Sequence, residues 1–355
     1  MANDNLLLVG SMGHIGGAAL DELVRTYPEL QINAVVRSEK DLAILEKQYH
    51  HANVKVVIGS LKDIGLMESL SRDATIVLNC GPDVPNRPGI EALLRGQAAK
   101  VRETFYIGTS GADIIWDAPT GETEGRIWDD VANVDEIFAL PNKSHIPTDR
   151  IVLEANTALL HSAIVSPGFV TGVSPSSTHP TPLTFPDWLY VVKALDSGVT
   201  ISKGVNRISF VDVKELGRLY TALVGDALKR LQGGQYGTEE IAVWGPKSYY
   251  FGKNLEVSAR EFMIVHLIPA LKKYGAPYPS SEEVKEATTK TILRVIMERL
   301  GLAGDVNAER SNSYRADVLG VNMRITGTRA TKALGFAWAD GDAGIDEAVR
   351  AFLRR

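Results

Sequence analysis

Three glycines in the run GSMGHIGGAAL, Gly10, Gly13 and Gly16, stand where an apolar strand-like segment gives way to a helix-like one. In that setting the spacing suits a dinucleotide. Gly10 allows a tight turn, Gly13 lets the backbone come close to a pyrophosphate, and Gly16 lets the helix pack near the strand. Free N–H groups around Met12, His14 and Ile15 then face the phosphates at the helix N-terminus. The same glycines would also serve a tight turn that binds nothing. The second strand-like run ends NAVVRSEKD. An acid there would bond a ribose 2′-hydroxyl, whereas Arg37 followed by Ser38 suits a 2′-phosphate, which a guanidinium can grip with two parallel hydrogen bonds. NADP(H) is therefore the expected cofactor, and Glu39 leaves NAD(H) possible. Ser60 and Leu61, then Cys80, Gly81 and Pro82, fall where the same crevice continues around adenine and ribose. Cys80 would serve equally as a small buried apolar residue.

The elements that must position these residues are legible as an alternation. Short, continuously apolar runs at 5–9, 32–36, 54–58, 75–79, 104–108 and 163–166 read as strands covered on both faces. Helix-length patterns lie between and after them, at 17–26, 40–49, 66–71, 89–102 and 150–160. The expected fold is α/β, a doubly wound parallel sheet of the Rossmann type. After residue 166 the rhythm breaks, and SPGFVTGVSPSSTHPTPLTFP reads as a loop crossing a cleft. Further helices are expected at 212–224, 259–274 and 281–300. The expected division is a nucleotide-binding domain of residues 1–170 plus about 201–225, and a smaller, partly discontinuous C-terminal substrate-binding portion of residues 171–200 plus about 226–355.

The glycine spacing, FYIGTSG, SPGFVTG, ISFVDVKELGRLY and ATKALGFAWADGDAGIDEAV, in that order over nearly the whole chain, together resemble the extended short-chain dehydrogenase/reductase family. The stretch NVDEIFALP narrows the likeness to atypical, fungal-type members related to NAD-dependent epimerases and dehydratases. In that family a serine or threonine orients a carbonyl, a tyrosine passes the proton, and a lysine four residues on holds the ribose and lowers the phenol pKa. The resemblance gives Ser110 the first role and makes Pro167, Phe169 and Val170 part of the cofactor site. Aligning Glu154 with the family's helix glutamate puts Arg150 at the lysine position, where it can still hold ribose hydroxyls, and Ile146 at the tyrosine position, where it can donate no proton. A shift by one residue would instead align His145 and Asp149 with the pair, at the expense of Glu154 and with an acid beside the ribose.

The expected function is an NADP(H)-dependent oxidoreductase acting on a carbonyl or alcohol of a small organic molecule with a non-standard acid. His145 is the first candidate, because an imidazole of ordinary pKa near 6.5 suits proton transfer at neutral pH. Asp113 and Tyr190 are alternates, Tyr190 also reading as a cleft-lining aromatic. Two other readings share the fold: a non-redox isomerase, dehydratase or cyclase, and an NmrA-like sensor of the NADP pool. Trp244, Tyr249, Tyr250 and Phe251 would line a substrate pocket or serve the core. A net charge of -5, with no run of like charge, gives no reason to expect nucleic acid as a partner. No stretch approaches the roughly 20 apolar residues of a membrane span, and the opening MANDNLLLVG has no basic segment of a signal peptide, so a cytoplasmic protein is expected. One cysteine excludes an internal disulfide, and His50–His51 lacks a third ligand, so no metal is expected. The resemblance also allows a homodimer.

Overall fold

The computed structural model describes residues 4–234 and 241–354. Residues 1–3, 235–240 and 355, which the expected domain ranges include, lie outside the described residues. Strands β1 (Asn5–Val9), β2 (Gln31–Val36), β3 (Val54–Ile58), β4 (Ile76–Asn79) and β5 (Thr104–Thr109) alternate with helices α1 (His14–Thr26), α2 (Glu39–Gln48), α3 (Ile64–Asp73) and α4 (Arg87–Ala98). After β5 come the two-residue β6 (Trp128–Asp129), α5 (Val134–Ala139), α6 (Ile146–Glu154), β7 (Leu160–Pro167) and β8 (Phe169–Thr171). The chain continues through α7 (Phe185–Leu195), β9 (Gly198–Ile201), β10 (Arg207–Asp212) and α8 (Val213–Leu231), then β11 (Tyr249–Gly252), β12 (Leu255–Ser258), β13 (Val284–Ala287) and β14 (Ile325–Thr326).

The central sheet has seven parallel strands in the order β11-β7-β5-β4-β1-β2-β3. This is the doubly wound sheet expected from the sequence. Its order reverses between β1 and β4, the switch point at which such sheets bind ligands beyond the strand C-termini. Apolar side chains alternate between two cores. Leu6 and Leu8 pack with Leu20, Leu23, Leu45, Leu219 and Leu223 of α1, α2 and α8. Leu7 and Val9 pack with Met67, Ile90, Leu93 and Val152 of α3, α4 and α6. Both faces being covered explains why these strands read as unbroken apolar runs.

Several elements differ from expectation, each for a local reason. The helix placed at 150–160 spans Ile146–Glu154, because Pro147 seats in its first turn, where no backbone N–H is needed. The segment expected as helix from 281 to 300 divides into β13, which pairs with β9, and a helix over Thr289–Leu300 capped by Thr288. Within the stretch placed as a loop, β8 pairs with β10 in a separate three-stranded sheet. The aromatic run at 249–251 forms β11, parallel to β7 at the sheet edge, with Tyr249, Tyr250 and Phe251 fully buried. Tyr249–Gly252 thus joins the central sheet from inside the span expected for the substrate-binding portion. Between β10 and β11, α8 returns to pack against α1.

In the C-terminal part, Asp187 of α7 is fully buried and receives Arg299 and Arg315 from two separate helices. Removing one member of such a group leaves the opposite charges without compensation. Asp187→Ala is expected to destabilise the fold by about 3 kcal/mol, read as a lower denaturation midpoint. A midpoint unchanged from wild type would show that the pairs contribute nothing.

Candidate active site

The glycine turn sits at the switch point. Gly10 has φ +84°, and a Cβ there would lie 2.8 Å from the backbone of Cys80 and Gly81. A Cβ on Gly16 would lie 2.1 Å from the Gly10 carbonyl oxygen. Both positions require glycine. The residue preceding α1 is Gly13, so no side chain caps the helix, and its first turn holds no acid. The N–H groups of that turn are therefore available to an anion and face no fixed negative charge. These features fit a dinucleotide diphosphate. Ser11 anchors the turn by donating to the Val35 carbonyl at 2.8 Å. His14 is neutral, since burial lowers its pKa to about 4.

The expected nucleotide residues surround this turn with different exposures. Arg37 is exposed at the end of β2 and makes no ion pair with any described residue. Ser38 caps α2, accepting from the Asp41 N–H. Ser60 is held by Asp63 through its N–H and hydroxyl, at 2.7 and 3.0 Å. Leu61 is buried against Gly81. Pro82 is exposed, and burial raises the Cys80 thiol to about 12, so Cys80 serves as a small apolar residue there. Pro167 ends β7; Phe169 stacks on Trp188 at 4.2 Å, and Val170 pairs with Val211. Instead of spanning an open cleft, the following loop packs on the glycine turn. The Ser176 and Thr178 hydroxyls donate to the Met12 carbonyl at 2.7 and 2.9 Å.

Two strands along from the turn, β5 ends at a buried polar cluster. Ser110 Oγ lies 2.6 Å from Asp149 Oδ2, and the Tyr249 hydroxyl lies 3.4 Å from each of them. Alongside, His145 Nδ1 is 2.6 Å from Asp83 Oδ2, and Nε2 faces Asp113 Oδ1 at 3.1 Å. The phase of α6 produces this arrangement. Asp149 lies one turn after His145, on the face that also buries Val152 and Leu153. Burial opposes a charge on His145, but hydrogen bonds to Asp113 and Asp83 outweigh it and push the imidazole up to about 10. Burial also drives the Asp149 carboxyl up, to about 7, against the lowering effect of its Ser110 hydrogen bond.

Ser110, His145 and Asp113 therefore meet, while two other expected residues do not. Arg150 lies on the exposed side of α6 and donates to the Phe138 carbonyl at 2.9 Å, away from the cluster. In the one-residue-shifted alignment the helix brings Asp149 to Ser110, while His145 one turn earlier faces Asp83 and Asp113. Exposed Glu154, the residue used to set the alignment, faces solvent and does not fix the helix phase. Tyr190 is half-buried on α7, packed against the larger core, and takes no part in the cluster's hydrogen bonds. Asp83 was not anticipated, and Tyr249 was expected only as an aromatic lining a pocket or serving the core. For Tyr249 the signal was the β-favouring run YYF, which marks a strand able to reach the sheet edge. A cavity of about 590 Å³ opens elsewhere, between Leu195, Val199, Ile201, Lys285 and Thr288, and no residue of the cluster lines it.

No protein-family model matches the chain. It is 25% identical over 262 residues to a curated protein named oxidase ucsJ from an Acremonium species, covering 71% of this chain and 74% of that one. The dTDP-glucose 4,6-dehydratase from Bacillus anthracis, solved in complex with NAD, superposes with a TM-score of 0.61 at 16% identity, covering 99% of this chain and 97% of that one. Yeast methylglyoxal/isovaleraldehyde reductase Gre2, complexed with NADPH, gives a TM-score of 0.59 at 14% identity, with 99% and 98% covered. The chain shares the fold of these two enzymes. The resemblance read from the sequence landmarks is borne out at that level.

Gly111 gives the imidazole its place. A Cβ there would lie 3.0 Å from His145 Nε2 and 3.1 Å from Asp113 Oδ1. Gly111→Ala is expected to part that pair and lower the His145 pKa from about 10. An imidazole NMR titration reads this directly; identical curves for both proteins would show that the Asp113 contact has no electrostatic effect.

Proposed function

We propose that the protein is an NADP(H)-dependent oxidoreductase that interconverts a carbonyl and an alcohol on a small organic molecule. The observation that carries this reading is the placement of the uncapped α1 N-terminus two strands from the Ser110 hydroxyl, across β1, β4 and β5. Two strand spacings are roughly 10 Å, a span that a dinucleotide covers between its diphosphate and its nicotinamide. Kinship with a protein named as an oxidase, and a fold shared with an NADPH-bound reductase, support the redox reading over a non-redox one.

In this reading the first-turn N–H groups of α1 hold the diphosphate, and Arg37 with Ser38 holds a ribose 2′-phosphate. The nicotinamide, when bound, supplies or accepts a hydride. Ser110 donates its hydroxyl hydrogen to the substrate oxygen, polarising the carbonyl and stabilising the negative charge that grows there. The standard tyrosine and lysine are replaced by the cluster behind Ser110. No helix among the described residues is long and apolar enough to cross a membrane.

Titration of both nucleotides tests the assignment. NADPH is expected to bind more tightly than NADH. Arg37→Ala should weaken NADPH by about 10-fold or more, the value of a charged hydrogen bond, and leave NADH nearly unchanged. Equal or tighter NADH binding to the wild type would remove the role given to Arg37. Carbonyl substrates should be turned over with consumption of NADPH; turnover without it would identify an isomerase or dehydratase instead.

A further inference from the structure

We propose that Asp149 is the proton reservoir for the Ser110 hydroxyl and that Tyr249 is the residue that positions it, the two replacing the family's tyrosine and lysine. This rests on the oxidoreductase reading. The three oxygens form a closed triangle, with Asp149 Oδ2 at 2.6 Å from Ser110 Oγ and 3.4 Å from the Tyr249 hydroxyl, and Ser110 Oγ at 3.4 Å from the same phenol. They come from three elements: the end of β5, the inner face of α6 and the edge strand β11. Ser110 is 7% exposed, Asp149 3% and Tyr249 0%, so a substrate meets the serine and the other two act through it.

The surroundings decide which member carries the mobile proton. Ser110 and Tyr106 approach from the β5 side, Tyr249 from β11, His145 from one turn earlier on α6, and Asp83 from beyond β4. Asp113 lies past His145. The one cation among these groups, His145, is already flanked by the carboxylates of Asp83 and Asp113. It supplies little excess positive charge to Asp149. Burial, reinforced by Asp83, therefore leaves that carboxyl able to gain and lose a proton near neutral pH. His145 stays protonated there and is the weaker donor. Tyr249 is poorer still, because burial raises its phenol well above the ordinary value and no lysine stands beside it to reverse that.

In carbonyl reduction a bound NADPH would supply the hydride to the substrate carbon, and the carbon–oxygen π pair would move onto oxygen. The Ser110 hydroxyl gives that oxygen its proton while the Asp149 carboxyl proton moves to Ser110 Oγ. Asp149 is left as a carboxylate, stabilised by the Tyr249 hydroxyl, and regains one proton from solvent per turnover. Alcohol oxidation runs the same transfers in reverse, with the carboxylate as acceptor.

Infrared titration of the purified full chain reads the carboxyl without any substrate. Wild type should show protonated-carboxyl absorption that fades around pH 7 with two components, from buried Asp130 and from Asp149, and only the Asp149 component should be missing from Asp149→Asn. Tyr249→Phe removes a donor that favours the carboxylate, so its midpoint should rise by about one pH unit; a purely structural tyrosine would leave it unmoved. With NADPH and a carbonyl substrate, reduction should slow as pH rises through the same midpoint. Asp149→Asn should be slower by about 100-fold and lack that pH dependence. A wild-type band already gone by the ordinary carboxyl range, or an Asp149→Asn profile matching wild type, would overturn the proposal. Tyr249→Phe decides it even if Asp149→Asn fails to fold: a neutral-range component that shifts in that variant is Asp149's, whereas absorption that the substitution leaves wholly unmoved belongs to Asp130 and overturns the proposal. If the band titrates near neutrality and responds to Tyr249→Phe while no carbonyl compound oxidises NADPH, the oxidoreductase reading falls and the Asp149–Tyr249 coupling stands.

Discussion

A buried carboxyl held 2.6 Å from a serine hydroxyl is the constraint around which the rest of the site is arranged. Keeping Asp149 ionised at neutral pH, where its carboxyl has been driven from about 3.8 to about 7, costs on the order of 4 kcal/mol. A raised acid contributes stability that is full below its unfolded pKa and is lost as pH climbs through the folded one, here between the ordinary carboxyl range and neutrality. His145 works the other way at neutral pH. Its pKa, raised from 6.5 to about 10, means that the stability it contributes is full below 6.5, is still mostly present at pH 7 and is lost progressively as pH rises toward the folded value. The imidazolium ties together the loops after β4 and β5, and Asp149 one turn on is left a group whose charge the fold can give or take.

Secondary structure carries these side chains to one place. The α6 helix begins at Ile146, immediately after His145, and its buried face carries Asp149 to Ser110. The edge strand β11 then brings Tyr249 over the same point from 139 residues along the chain from Ser110. On the other side of the switch point the backbone of Cys80 and Gly81 lies against Gly10, which closes the turn before α1. An uncapped helix N-terminus and a buried polar cluster thus stand at the same end of the sheet, at the C-terminal ends of β1 and β5.

What could be read in the sequence follows from how local each feature is. Gly10, Gly13 and Gly16 were legible because a tight turn and a close helix impose their residue types within seven positions. The strands were legible because both faces are covered, so their apolar runs are unbroken. The phase of α6 was not, since it depends on a one-residue choice, and the glutamate used to make it, Glu154, is exposed and packs against nothing that would settle it. Arg150 consequently took a role that the fold gives to neither side of the cluster. Asp149 was visible only as the less favoured alignment, and Tyr249 only as a pocket or core aromatic, because its partners Asp149 and Ser110 lie 100 and 139 residues away along the chain, which no local pattern encodes.

A shared fold leaves the chemistry open, because the same doubly wound sheet carries dehydratase and reductase neighbours. The redox reading depends on where a nicotinamide would lie relative to Ser110. A crystal structure of the protein with NADPH measures that position most directly. Phosphate oxygens on the N–H groups of His14 and Ile15, with the nicotinamide ring opening onto the Ser110 hydroxyl, are the expected result. A nucleotide seated away from the glycine turn, or a nicotinamide turned from Ser110 so that no carbonyl fits between them, would contradict hydride transfer at this cluster.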